Sequence, residues 1–413
     1  MAQTKDNNIF VGLDIGTTKI CAVVARKNIE GGIDIIGLGS AQSTGIRKGV
    51  VVNIDNTVKA IREAISAAER MSGVTVKSVC AGIAGGHIES FNSKGVVAVK
   101  SGEVTKNDVE RVLESASAVN IPMGYEVLHI IPQQYILDGQ NEIKDPIGMS
   151  GVRLEVEVHI VTGAVSSATN ITKSCTKAGI AVEDIYLEQL ASSEAVLTDD
   201  EREIGVCLID GGGGTTDMAV FNRGAVYHTA VLQIGGNNFT RDLTSALSTS
   251  EHEAERIKVE EGCVLVDLVE PNETIEVPSV GGRPPRIISK SVMAQVLQAR
   301  AEEICEIFLG ELQKKKMFDL LSAGVVLTGG MSNFKGMEEL ASSVLGLSVR
   351  VGVPVDVGGL SDQVNNPIYA TAVGLAKLHA KNGHSQNLIS SGSEDGVFKK
   401  VGDRMKDWMK EFF

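Results

Sequence analysis

One pattern, written twice, limits most strictly how this chain can fold. Residues 9–13 (IFVGL) form a short apolar run that ends in Asp14-Ile15-Gly16-Thr17-Thr18-Lys19, and a second apolar run, residues 20–25, follows at once. Two apolar runs around a polar, Gly-containing turn predict a β-hairpin. The pattern returns 196 residues later: residues 206–209 run into Asp210-Gly211-Gly212-Gly213-Gly214-Thr215-Thr216-Asp217, followed by the apolar residues 218–221. In both turns small residues leave backbone N–H groups and hydroxyls free to converge on an anion. Two such turns placed face to face hold a polyphosphate between them. A single Gly turn is by default an ordinary hairpin turn, so the repetition carries the argument.

A third Gly turn, Thr328-Gly329-Gly330-Met331-Ser332, follows the apolar run 324–327 and leads into a helix-like segment, 335–345. There a flat ring can lie against backbone with no Cβ in the way. The pattern GxxxxGK[ST] is absent and no GxGxxG follows a strand, so neither a P-loop nor a dinucleotide fold is indicated. Between the two hairpins, Val109, Val112, Leu113, Ala116 and Val119 fall at helical spacing within 105–120. Residues 127–137 read as a strand, and Val152, Leu154, Val156, Val158 and Ile160 alternate with polar residues. This is a small αβ unit with a half-exposed sheet, a surface suited to docking.

At 413 residues the chain exceeds one compact core and divides into at least two domains. Its net charge of −13 argues against a nucleic-acid partner. Six cysteines stand singly, with no CxxC pair, as in a reduced cytosolic protein. The first residues lack a basic and then apolar leader, and no run of about 18 apolar residues occurs, so neither a signal peptide nor a spanning helix is expected.

The C-terminal residues reverse the sign of the body. After a Gly/Ser/Asn/Asp tether, 383–396, the segment 397–413 puts Phe398, Val401, Met405, Trp408, Met409 and Phe412 on one helical face, with five Lys/Arg against three Asp/Glu in the segment. A tethered, basic, amphipathic helix reads as an anchor on an anionic membrane surface; the alternative is a helix docked on its own domain.

The three turns in this order, with the small-residue segments 188–193 (EQLASS) and 369–375 (YATAVGL), resemble the actin/Hsp70/sugar-kinase ATPase superfamily. Residues 85–163, GVRLEVEVHIVTG from Gly151, SVGGRPPR from Ser279, VVLTGG from Val325 and the tethered tail together resemble the bacterial cell-division FtsA family over nearly the whole chain. The resemblance implies an actin-like α/β fold of two similar halves, each on a five-stranded sheet, closing on ATP and Mg2+. It implies subdomain 1A at 1–84, 164–205 and 367–382; an FtsA-type subdomain 1C at 85–163; subdomain 2A at 206–239 and 326–366; and subdomain 2B at 240–325. The linker is then 383–396 and the membrane-targeting helix 397–413.

Carried onto this sequence, the resemblance makes Gly16, Thr17, Thr18, Lys19, Gly212, Gly213, Gly214 and Thr215 the phosphate-binding residues. Asp14 and Asp210 become magnesium ligands through water. Lys19 sits at the phosphate-1 lysine position of some relatives, unless its phase in the hairpin turns it outward. Gly235, Gly236 and Asn238 open a helix nearby, and Gly329, Gly330 and Met331 back the adenosine. Glu255 and Lys258 match a ribose- and adenine-contacting helix; as an alternative they are an i,i+3 surface pair. Glu188 is the candidate for orienting a hydrolytic water, with weak turnover at most.

The implied partners are a second copy of the chain, the FtsZ C-terminal peptide, later division proteins through 85–163, and the inner face of the cytoplasmic membrane at the septum. Arg286, Lys290 and Arg300 are candidates for meeting the acidic FtsZ peptide, or else are solvated charge. A pilus-assembly adaptor of the same fold, a sugar kinase and a chaperone ATPase are the alternative readings. The tail and SVGGRPPR speak against the first. A kinase needs a sugar-binding carboxylate, and a chaperone needs a substrate domain after the ATPase, where this sequence has a tether and a helix.

Overall fold

A computed structural model describes residues 8–29, 31–281 and 283–382; the tether and amphipathic helix expected at 383–413 lie outside the described residues. The chain opens with the first hairpin, β1 (Ile9–Ile15) and β2 (Lys19–Lys27), and continues into β3 (Ile33–Gln42). A two-strand ribbon, β4 (Ile46–Arg47) and β5 (Val50–Val51), precedes α1 (Ile54–Ser72). This helix starts where the Asn53 side chain accepts the Asn56 N–H and stops at Gly73, whose φ of 70° ends it in the left-handed region. Its Ala60, Ile61 and Ile65 are buried in one core with β1, β2 and β6 (Ser78–Ile83).

Next comes an inserted domain: β7 (Glu89–Ala98), α2 (Lys106–Ser117), β8 (Tyr125–Leu137), β9 (Gln140–Ile143) and β10 (Arg153–Ala164). The expected helix begins on a capping box, in which the Thr105 hydroxyl accepts the Asp108 N–H and the Asp108 carboxylate accepts the Thr105 N–H. Val109, Val112, Leu113 and Ala116 of α2 pack on Leu154, Val156, Val158 and Ile160 of β10. The first half resumes with α3 (Val165–Ala178), β11 (Ala181–Leu187), α4 (Glu188–Val196) and α5 (Asp199–Ile204).

The second half repeats the plan with β12 (Val206–Gly211), β13 (Thr216–Asn222) and β14 (Ala225–Leu232), then α6 (Gly236–Leu247) and α7 (Glu251–Glu261). A ribbon of β15 (Thr274–Val277) and β16 (Arg286–Ser289) leads to α8 (Lys290–Lys314). β17 (Val325–Thr328), α9 (Met337–Leu345) and β18 (Val349–Val351) complete it, and β19 (Val357–Gly359), α10 (Ser361–Val364) and α11 (Ala370–Asn382) follow, α11 packing on β1, β2 and β6 of the first sheet.

The sheet orders expose the duplication. The first is β11-β6-β1-β2-β3-β19 and the second is β18-β17-β12-β13-β14; in each, the central hairpin is antiparallel and its first strand pairs in parallel with the next strand outward. The first sheet therefore has six strands where five were expected. Val357–Gly359, arriving from the second half, pairs in parallel with Ile33–Ile35 and covers part of an otherwise open edge. The expected half-exposed face of the inserted sheet is also partly covered: His159 and Val161 of β10 are buried, and β7, β8 and β10 touch β14. The halves meet where α4 crosses α11. A Cβ added to Gly374 would fall 1.7 Å from the Ala191 carbonyl oxygen, so only glycine allows this approach.

Candidate functional site

Both turns open into one cleft of about 420 Å³, lined from the first half by Asp14, Gly16, Thr17, Thr18, Lys19 and Glu188 and from the second by Asp210, Gly212, Gly213, Gly214, Thr215 and Asp217. Gly236, Glu255, Lys258, Gly329, Gly330 and Met331 also line its walls. The turns approach closely. An added Cβ would lie 1.9 Å from Thr18 Oγ1 at Gly213 and 2.5 Å from Thr17 Oγ1 at Gly214. The second turn is stitched to the start of α6 by Gly236 N–H donating to the Gly212 carbonyl (2.9 Å) and Asn237 N–H to that of Gly213 (2.8 Å). Gly235 and Asn238, predicted for the nucleotide, are not in the lining: the Asn238 side chain accepts the Gly235 N–H and caps α6 from behind.

Burial raises the proton affinity of four carboxyl groups in this cleft. Asp14 is pushed up to about 6, with Lys19 pulling it back and Asp210 adding to the rise. Asp217 is pushed up to about 8, by burial and then by the charge of Asp210. Glu188, first residue of α4, is held well above the ordinary carboxylate range by burial and then by Asp14, Asp217 and Asp210. Asp210 is raised less firmly, because hydroxyls of Ser192 and Thr371 and the charge of Lys19 favour its ionised form. Like charges gathered away from water favour either protons or a bound cation. Asp217 Oδ1 is buried and has no hydrogen-bond partner among the described residues.

Lys19 turns inward: its Nζ donates to the Ile368 carbonyl and stands 4.7 Å from the centre of the Tyr369 ring. Lys258 is likewise no surface residue. It is 8 % exposed, and its Nζ donates to the Gly236 carbonyl (3.2 Å), the Thr240 hydroxyl (2.9 Å) and the Glu255 carboxylate (2.6 Å), bracing α7 against α6 at the cleft wall.

Sequence reasoning missed Asp217 and Thr371 as site residues. Asp217 closes the second motif two residues after Thr215 and lies opposite Asp210 in the hairpin register, a position that spacing alone could have given. The Thr371 hydroxyl donates to Asp210 Oδ2 (3.1 Å) from within the second small-residue segment. Arg286, Lys290 and Arg300 lie outside the cleft and are engaged within the chain. Lys290 pairs with Glu261 and Glu273, both at 2.7 Å; Arg300 forks onto Asp242 at 2.7 and 3.0 Å; Arg286 donates to the Leu247 carbonyl.

Two duplicated sheets with paired glycine turns across a shared cleft define an actin-like protein. Solved structures agree on that fold: the PilM–PilN type IV pilus biogenesis complex aligns with a TM-score of 0.66 at 16% identity, over 90% of this chain and 98% of that one. MreB5 of Spiroplasma citri bound to ADP aligns at 0.53 and 14% identity, over 89% and 94%. At the sequence level the chain belongs to the cell division protein FtsA family. It is 46% identical to the Pseudomonas aeruginosa cell division protein FtsA over all of both chains, and 40% identical to that of Escherichia coli K12, again over all of both. A family model described as cell division protein FtsA matches residues 207–374, and one described as the SHS2 domain inserted in FtsA matches residues 85–162.

Proposed function

We propose that this member of the FtsA family is an ATP-binding subunit that polymerises at the inner face of the cytoplasmic membrane. It ties FtsZ filaments to that membrane and recruits later division proteins to the septal ring. The observation that carries the nucleotide part is the pair of glycine turns closing on a cleft that holds Lys19 and the carboxyl groups of Asp14, Asp210, Asp217 and Glu188. Thr17, Thr18, Gly212, Gly213, Gly214 and Thr215 supply donors for the phosphates, and Lys19 supplies the cation. Gly329, Gly330 and Met331 offer the base a backbone surface, and a structure of the same fold, MreB5 of Spiroplasma citri, is bound to ADP. Among the described residues no three His, Cys, Asp or Glu side chains form a direct metal cage, so Asp14 and Asp210 are assigned to Mg2+ through water. Bound magnesium would supply charge neutralisation to the phosphates. Glu188, half-buried at the start of α4, is assigned to orient a water, and its raised proton affinity suits slow turnover or none.

The subdomain limits proposed from the sequence, 85–163 for the recruiting domain and 240–325 for the FtsZ-binding one, go with this reading. An acidic FtsZ peptide there would have to exchange with Glu261, Glu273 and Asp242 for Lys290 and Arg300. Attachment rests on the face of Phe398, Val401, Met405, Trp408, Met409 and Phe412. Each such side chain contributes roughly 1.5–3 kcal/mol if fully buried, before the cost of ordering the helix, so a single tail is a weak anchor. A row of tails on one polymer binds as a multivalent array. The 14-residue tether reaches on the order of 20 Å, leaving the body free to bind a filament.

Flotation on anionic liposomes tests the reading. The intact chain is expected to float, better with Mg-ATP, and a chain ending at Gly396 to remain in solution; flotation of both, or of neither, removes the tail from the mechanism.

A further inference from the structure

The strand β14 is one of the two edges of the second sheet, and the inserted domain, which grows out of the first half, is what covers it. Ser90 Oγ donates to the Thr229 carbonyl (2.9 Å), and Gln133 Nε2 to the carbonyls of Val226 (2.9 Å) and Tyr227 (3.3 Å). Ile131 of β8 joins a core cluster with Val226 and Phe221 of the second half. At the centre is a chain of side-chain bonds. His159 Nε2 is 3.0 Å from Thr229 Oγ1 and His159 Nδ1 is 2.7 Å from Asn92 Oδ1, with Asn92 directly across the β7–β10 pair. The ring is fully buried, and burial, then the charges of His228 and Lys315, hold it neutral. A neutral imidazole donates from one nitrogen and accepts at the other. The Thr229 hydroxyl therefore donates to Nε2, and Nδ1–H donates to Asn92.

Two paths lead from this contact to the cleft. The residues after β14 run directly to the second turn: the Ile234 carbonyl accepts the Thr216 hydroxyl (2.8 Å), and the N–H groups of Gly236 and Asn237 bind the carbonyls of Gly212 and Gly213. The entry to the inserted domain touches residues next to both turns as well. A Cβ at Gly86 would fall 1.8 Å from Gln233 Nε2, and Gly85 packs on Lys48 and Gly49, whose N–H donates to Thr17 Oγ1 (3.1 Å).

The geometry points to a latch: the Thr229–His159–Asn92 chain ties the inserted domain across the two halves and holds the phosphate turns at their close separation, so that latch and nucleotide occupancy stabilise one another. Because it rests on the nucleotide reading above, the inference is tested with the full chain on two independent measurements. Thr229→Val removes the donor while keeping the shape, and Thr229→Ser restores it.

In titrations with a fluorescent ATP analogue and Mg2+, T229V is expected to bind roughly fivefold more weakly than the parent and T229S nearly as well as the parent. By reciprocity, ATP should slow backbone hydrogen exchange in 89–98 and 225–232 of the parent, and less so in T229V. Parent-like affinity in T229V alongside faster exchange at 225–232 reduces the contact to passive adhesion and overturns the latch. If T229V fails to fold, the parent decides: exchange in those strands that ATP leaves unchanged overturns it equally. A parent chain that binds no nucleotide overturns the nucleotide reading, and the latch with it.

Discussion

The two hairpins share a backbone and differ in what they bury. In β1–β2, Asp14 stands opposite Cys21; in β12–β13, the equivalent Asp210 stands opposite Asp217. The first turn carries one glycine and a lysine, and Lys19 draws the Asp14 carboxyl back toward ionisation. The second carries four glycines and no lysine, and it packs a second acid against the first. Duplication thus sets the frame, and side-chain choice divides the labour. Under the nucleotide reading proposed above, the first turn would bring positive charge to a phosphate, and the second would bring backbone room and a carboxyl that releases its proton to a cation.

The comparison breaks outright if the two hairpins are not held face to face, which is the work of the α4–α11 crossing. Gly374→Val drives a side chain into the Ala191 carbonyl, backbone that cannot step aside, and should destabilise the fold by about 3 kcal/mol or more. Chemical denaturation followed by circular dichroism measures it; a loss below about 1 kcal/mol would mean that the helices separate freely.

Charge in the first turn is the next largest effect. Lys19→Met keeps the apolar stem over Tyr369 and removes the ammonium, at an expected loss on the order of 2 kcal/mol in ATP binding, or about thirtyfold in Kd. The same variant should raise the apparent pKa of Asp14, since Lys19 is the group that lowers it. Equal affinities for K19M and the parent, by calorimetric titration, would show that the first turn delivers no charge.

Room in the second turn ranks below this. Gly213→Ala puts a methyl against the Thr18 hydroxyl, but that side chain can rotate away. A loss of about 1 kcal/mol in ATP affinity, with stability nearly unchanged, is expected. Combining it with Thr18→Ala should restore most of the loss, which ties the effect to the contact between turns.

Much of this comparison was legible in the sequence. Apolar run, Asp, small-residue turn and apolar run gave both hairpins, and the helical spacing of Val109, Val112, Leu113 and Ala116 gave α2 to within a few residues of its ends. These features are local, so periodicity and turn chemistry suffice to read them. What spacing withheld was set by distant chain. The direction of Lys19 depends on Ile368 and Tyr369, the burial of Lys258 on Gly236 and Thr240, and the sixth strand of the first sheet on three residues, 357–359, with no strand pattern of their own. The cover on β14 is of the same kind, because His159 and Thr229 are 70 residues apart and neither looks unusual where it stands.

The smallest effect is also the sharpest test of what Asp217 adds. Its folded value, about 8, lies above the ordinary aspartate value near about 4, so folding takes up a proton between those limits. Stability from this group is therefore greatest on the acid side and is lost as pH rises through about 8. Asp14 acts in the same direction over a window that closes near 6. Nucleotide-free protein should melt at a lower temperature at pH 8.5 than at pH 6, and Asp217→Asn should recover on the order of 1 kcal/mol of the difference. Adding Mg-ATP to the parent should flatten the same slope, since a bound cation favours the ionised carboxylate. Identical pH slopes for D217N and the parent, read by scanning calorimetry, would mean that the second acid is ionised in the folded chain. The two hairpins would then differ in glycine content, in the lysine and in a second acid that holds no proton.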